Sequence, residues 1–225
     1  MPPFSELTLR DACRLLPCAS PSRGILDAVA APEDLPLMLE LENWSNDRVT
    51  AELGLINRLR LEEWVRNRPM ANLINAAFCY PDAEAGRFNG PERGAWHAAS
   101  SVTAAHVEAV YFRAAELAEI GVSDTRVQMR LYLADFRGVF HDIRASLPSH
   151  APYHDPISYR ASHRLARQLL ANGSNGVIFR SVRQPGATCV ACFRPGLVAN
   201  VRAGPYYEYR WEGRCTARIR RLAGS

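Results

Sequence analysis

Lysine does not occur in this chain. All 27 basic side chains are arginine, set against 23 acidic ones for a formal charge of +4. The cations are scattered among the acids rather than clustered, which argues against a nucleic-acid footprint, and no direct nucleic-acid binding is expected. Long hydrophobic runs are lacking too: nothing approaches the ~18 apolar residues of a membrane helix. Residues 1–10 carry Glu6 early and show no apolar run ending in small residues, so no secretory signal is read. No membrane association is expected, and a cytoplasmic location follows by default. The familiar chemical signatures are missing as well: no G-x-G-x-x-G after a strand, no Walker loop, no G-x-S-x-G elbow, no H-E-x-x-H. The six histidines have no metal-ligand spacing, and no metal is expected. Cys189 and Cys192 form a lone C-x-x-C in a stretch that reads as a strand. Positions three apart then point to opposite faces, which excludes a zinc knuckle or redox turn and makes these thiols small buried hydrophobes.

What is present is enough apolar content, 48% of 225 residues, for a sizeable core. Residues 1–35 hold Pro17, Pro21 and Pro32 and read as an irregular lead-in with short helical pieces; residues 35–66 read as helical. A strand is expected at 72–79, a turn-rich loop at 81–94, and a short strand at 95–99. A helix is expected from Val102 to Glu119 with Ser101 as its N-cap. Residues 126–136 alternate like a half-buried strand. Asp155-Pro156 marks a helix start, and Gly173 a stop. Strands are expected at 176–180, 188–194 and 206–211. Several strands with few helices between them indicate an α+β fold.

Four places carry chemistry. Arg87, in Gly86-Arg87-Phe88-Asn89-Gly90, suits phosphate oxygens from a loop that permits close backbone approach, or is an ordinary arginine beside a turn. Glu108, among small and apolar residues of the expected helix, would suit a sugar hydroxyl or developing positive charge, or is an exposed helical acid. Ser181, near Arg180 and Arg183 at a strand end, forms an anion site or a plain turn. Trp96-His97 offers rings that could stack on a flat heterocycle, or that pack in the core.

In order, these pieces resemble the RES-domain family. The front half is carried by Gly-Arg-Phe-Asn-Gly from 86, Gly-Ala-Trp-His-Ala-Ala from 94 and Thr-Ala-Ala-His-Val-Glu-Ala-Val-Tyr-Phe-Arg from 103. The back half is carried by Tyr153-His154-Asp155-Pro156, Ala161-Ser162-His163 and Asn175-Gly-Val-Ile-Phe-Arg-Ser-Val-Arg183, with Cys189 to Pro195 and Tyr207 to Trp211 continuing the match. The resemblance divides the chain into a mostly helical N-terminal extension, 1–70, and a RES domain, 71–225.

The resemblance implies an ADP-ribosyltransferase-like fold with two small sheets flanked by helices and NAD in a cleft. It implies cleavage of the nicotinamide–ribose bond by phosphorolysis or hydrolysis, as a toxin neutralised by a cognate Xre-like antitoxin. NAD is then substrate, inorganic phosphate the co-substrate of the phosphorolytic route, and no further cofactor is needed. A homodimer or a hetero-oligomer with the antitoxin is the assembly it allows. Carried over by position, Arg87 serves the dinucleotide phosphates, Glu108 the ribose, and Ser181 lines the cleft. His97, Tyr80 and Arg183 join them as substrate-binding candidates. His97 stands where the family usually has tyrosine, and Cys79-Tyr80 stands near the family's usual Arg or His; both departures bear on rate or acceptor. The alternatives are transfer of ADP-ribose to a macromolecule, or an impaired module that binds NAD or a partner without turnover.

Overall fold

The computed structural model describes residues 1–18, 59–79, 86–213 and 216–222. Among these residues seven strands and three α-helices make an α+β fold, as expected. The strands are β1 (Phe4–Pro17), β2 (Trp96–Ala99), β3 (Asp124–Asp142), β4 (Gly176–Arg180), β5 (Thr188–Cys192), β6 (Ala199–Glu212) and β7 (Arg218–Arg221). The helices are α1 (Ala71–Cys79), α2 (Val102–Glu119) and α3 (Arg160–Ala171).

The sheet order is β1-β2-β5-β4-β3-β6-β7, with β1 also paired to β3. Two groups of strands stand out within it. One is β1-β3-β6-β7, antiparallel throughout, in which β1 follows β3 from Phe4↔His141 to Pro17↔Met129. The other is the short antiparallel β2-β5-β4. The groups are stitched at two points, Cys13↔Ala99 and the parallel step His141↔Val177 and Asp142↔Ile178, so the two expected small sheets form one hydrogen-bonded mixed sheet. β4 begins at Gly176 for a local reason. Its φ is +141°, and a Cβ there would lie 2.1 Å from the Ala191 carbonyl oxygen on β5, so only glycine allows the strands to meet.

Two cores lie on opposite faces. Leu73, Ile74 and Phe78 of α1 pack with Trp96, Phe136, Phe140 and Cys192. Ala104 and Ala105 of α2 and Leu165 and Leu169 of α3 pack with Phe88, Leu131, Phe179 and Cys189. The two cysteines of the C-x-x-C are therefore buried in different cores, as strand alternation requires, and both are free thiols.

Four sequence expectations change. Residues 4–17, read as an irregular lead-in, are the strand that fills the edge of β3; proline is tolerated there because Pro3 and Pro17 lie at its ends. Residues 72–79, read as a strand, are helix α1. Ile74 and Phe78 are four apart on the buried side, and a short apolar run is ambiguous between the two periods. The Asn75 side chain then ties α1 to the preceding segment through both the N–H and the C=O of Val65. Asp155 does cap, accepting from the N–H groups of Ile157 and Ser158, but it closes a turn, and α3 begins at Arg160. β3 extends beyond 126–136 in both directions because β1 and β6 cover its two edges. The expected helix over 35–66 lies largely outside the described residues, which contribute only a 3-10 turn at Leu61–Glu63.

Candidate active site

The face of the sheet beneath α2 and α3 gathers five of the six site candidates that the family resemblance carries over. Tyr80, the sixth, lies outside the described residues.

Glu108 sits midway along α2, the helix started by Ser101, whose hydroxyl accepts from the Ala104 N–H. Each of its carboxylate oxygens accepts one hydrogen bond from the protein. Ser181 Oγ donates to Oε1 at 2.8 Å, and Arg183 Nη1 donates to Oε2 at 3.0 Å. The Ser181 hydroxyl is committed by its surroundings: it accepts from the N–H groups of Arg183 and Gln184 at the start of the β4–β5 turn. With its lone pairs on the backbone, its proton points at the carboxylate. The Ser181 N–H is itself fixed to the Ala187 carbonyl across the turn.

Arg183 is enclosed. Nη2 donates to the Tyr159 hydroxyl at 2.9 Å and to the Pro156 carbonyl at 3.2 Å, and the guanidinium lies 3.5 Å from the centroid of the Tyr111 ring. Burial opposes its charge, but Glu108 and Tyr159 outweigh burial, and its pKa is raised.

Arg87 is 4% exposed. Nη1 donates to the carbonyls of Tyr153 and Asp155, and the guanidinium packs over the Tyr159 ring at 4.4 Å. Nη2 is buried with no hydrogen-bond partner. Burial lowers the Arg87 pKa; Tyr159 and Glu108 work the other way, and Arg183 adds to the lowering. The loop that carries it is a tight turn. The Gly86 N–H donates to Asn89 Oδ1, and the Gly86 carbonyl meets His163 Nε2 at 2.8 Å.

His97, on β2, lies against that loop: a Cβ on Gly86 would come within 2.6 Å of its Cε1. Burial, aided by Arg14, holds the imidazole down to about 3, so the ring is neutral near pH 7. Its Nε2 is a second buried polar atom with no partner. Cys189 lies behind the site, its thiol pushed up to about 12 by burial and by Glu108, and so is a poor nucleophile.

Arg87, His97, Glu108, Ser181 and Arg183 thus share one region, with Glu108 near enough to Arg87 to support its charge. Tyr159 and Tyr111 join them without having been singled out by sequence. Tyr159 is 72 residues from Arg87 and 24 from Arg183, and only folding reveals its contacts with them. No group of His, Cys, Asp or Glu among the described residues could hold a metal ion. No helix among them is long and apolar enough to cross a membrane.

A family model described as the RES domain matches residues 58–212. "Uncharacterized protein y4oC" of Sinorhizobium fredii is 26% identical over 217 residues, covering 93% of this chain and 87% of that protein. Among solved structures, a chain of the M. tuberculosis MbcT–MbcA toxin–antitoxin complex overlaps 56% of this chain and 72% of its own, at 16% identity and a TM-score of 0.40.

Proposed function

The chain belongs to the RES-domain family, and from that premise we propose that it cleaves the nicotinamide–ribose bond of NAD, with phosphate or water as acceptor. One observation carries the reading: Glu108 is held at both oxygens by Ser181 and Arg183 in the same region as the buried Arg87.

The chemistry needs few parts. The bond between the ribose anomeric carbon and the pyridinium nitrogen breaks, its electron pair neutralises the ring, and nicotinamide leaves uncharged without a general acid. A phosphate or water oxygen forms the new bond to the anomeric carbon; water also gives up a proton. The protein's share is to orient the dinucleotide and stabilise positive charge on the ribose. Glu108 is the fixed negative charge for that task. Its oxygens keep unused lone pairs for a ribose hydroxyl, since each accepts one hydrogen bond from the protein. Arg87 Nη2 is a spare donor for the pyrophosphate, and neutral His97 is a flat polar ring for the nicotinamide end.

As the family resemblance implies, the protein acts as a cytoplasmic toxin. A cognate Xre-like antitoxin neutralises it by covering the site. The test is direct. Purified protein is incubated with NAD, with and without phosphate, and nicotinamide release is followed. ADP-ribose 1″-phosphate marks phosphorolysis and ADP-ribose marks hydrolysis; no nicotinamide under either condition overturns the reading.

A further inference from the structure

Two guanidinium groups, Arg87 and Arg183, converge on one side chain. The Tyr159 ring lies under Arg87 at 4.4 Å, and the Tyr159 hydroxyl accepts from Arg183 Nη2 at 2.9 Å. The two cations repel, and Arg183 weakens the hold of Arg87 on its charge. A phenol serves both with separate parts: a negative π-face for one guanidinium and a lone pair for the other. The backbone around it is arranged to the same end. Between Tyr153 and Pro156 the chain turns three carbonyls onto the two groups, Tyr153 and Asp155 toward Arg87 and Pro156 toward Arg183. The Asp155 side chain holds that turn by accepting from Ile157 and Ser158. Tyr159 then stands at the entry to α3, where its side chain makes no capping bond and is free to face the pair. Its ring is also braced, tilted against Phe112 of α2 at 6.4 Å and edge-on to His163 at 6.1 Å.

We propose that Tyr159 is the positioning residue of this site. It sets Arg183 on Glu108 through its hydroxyl and seats Arg87 through its ring. Arg183 is accordingly a brace for the acid and not a ligand of the substrate phosphates: three of its five N–H donors go to Glu108, Tyr159 and Pro156, and one face lies on the Tyr111 ring. Arg87, with Nη2 unspent, is left as the cation for substrate. The kinetic consequence rests on the NAD-cleaving reading above; the geometric one does not.

The two halves of the phenol separate by substitution. Tyr159→Phe keeps the ring and removes the acceptor. Tyr159→Leu removes both. For nicotinamide release, Tyr159→Phe is expected to lower kcat roughly 10-fold or more with KM within about twofold, as fits loss of a hydrogen bond to a charged group. Tyr159→Leu is expected to lower kcat similarly and also to raise KM several-fold. A Tyr159→Phe protein with unchanged kcat, or one whose only change is in KM, overturns the assignment. Crystal structures of the wild type and Tyr159→Phe provide the arm that does not need turnover. Arg183 Nη1 should leave hydrogen-bonding distance of Glu108 in the variant while Arg87 stays over the ring. An Arg183–Glu108 pair that survives intact overturns the proposal, whatever the protein does to NAD. If Tyr159→Leu fails to fold, the single-atom change in Tyr159→Phe still decides.

Discussion

Ser181 reaches across 73 residues of sequence to place its hydroxyl proton on Glu108 Oε1, 2.8 Å away. The serine is thereby a support for the carboxylate, and its own lone pairs are engaged by the backbone. Glu108→Gln should lower kcat for nicotinamide release roughly 10²–10³-fold, the usual cost of one electrostatic contact in a transition state. Ser181→Ala should cost roughly 10-fold or more. The double variant should be no worse than Glu108→Gln alone, because the serine acts through the acid. Additive losses in steady-state kinetics would assign Ser181 a separate role.

The Arg87 loop has no room at its first glycine. A Cβ on Gly86 would lie 2.5 Å from Asn89 Oδ1 and 2.6 Å from His97 Cε1. Gly86→Ala should push the His97 ring and the loop apart. A loss of roughly 10–100-fold in kcat/KM is expected from a displacement of this kind, with the unfolding midpoint little changed. Parallel assays of turnover and denaturant unfolding separate the two effects.

Acid should act on the site before it acts on the ion pairs. His97 is held at about 3 against an ordinary 6.5, so the unfolded chain binds a proton that the folded one refuses. Its contribution is complete above about pH 6.5 and is lost as pH falls toward 3, at roughly 1 kcal/mol per pH unit. Glu63, gripped by Arg93 and Arg194, is lowered to about 2 from 4.5, so its contribution starts to fade only below about pH 4.5. His106, His141 and His154 are also lowered by burial and share the upper window. His97→Gln should therefore flatten, without abolishing, the slope of unfolding free energy between pH 5 and 6.5. Glu63→Gln should change the slope only below that range. Urea unfolding across pH measures both.

The thiols should sort by position. Cys18 is exposed, whereas Cys189 and Cys192 are buried and pushed up to about 12. At pH 8 a maleimide should modify Cys18 in the folded protein and reach Cys189 and Cys192 only on unfolding. Peptide mass spectrometry before and after denaturant reads this. Early labelling of Cys189 would mean that the site opens readily in the native state.

The sequence exposed those parts of the fold that local chemistry dictates. Helix α2 was legible from Ser101 to Glu119 because a capping serine and a stop bracket it. Strands β2, β4 and β5 were legible from short apolar runs between turns. α1 was not, since a run as short as residues 72–79 satisfies either period, and the tie from Asn75 to Val65 that favours the helix is tertiary. β1 was hidden because its partner, β3, begins more than a hundred residues later. The site followed the same rule. Arg87, Glu108 and Ser181 were found as motif pieces. The roles of Tyr159 and Tyr111 depend on contacts with Arg183 that no spacing encodes.

The strand that covers β3 from Met129 to His141 comes from residues 4–17, upstream of the stretch that the family model matches. A gene fragment confined to that stretch would encode a protein with a long bare row of amides and carbonyls on β3, an invitation to self-association. Anyone trimming this chain to its recognisable module would discard the piece that keeps the module from sticking to itself.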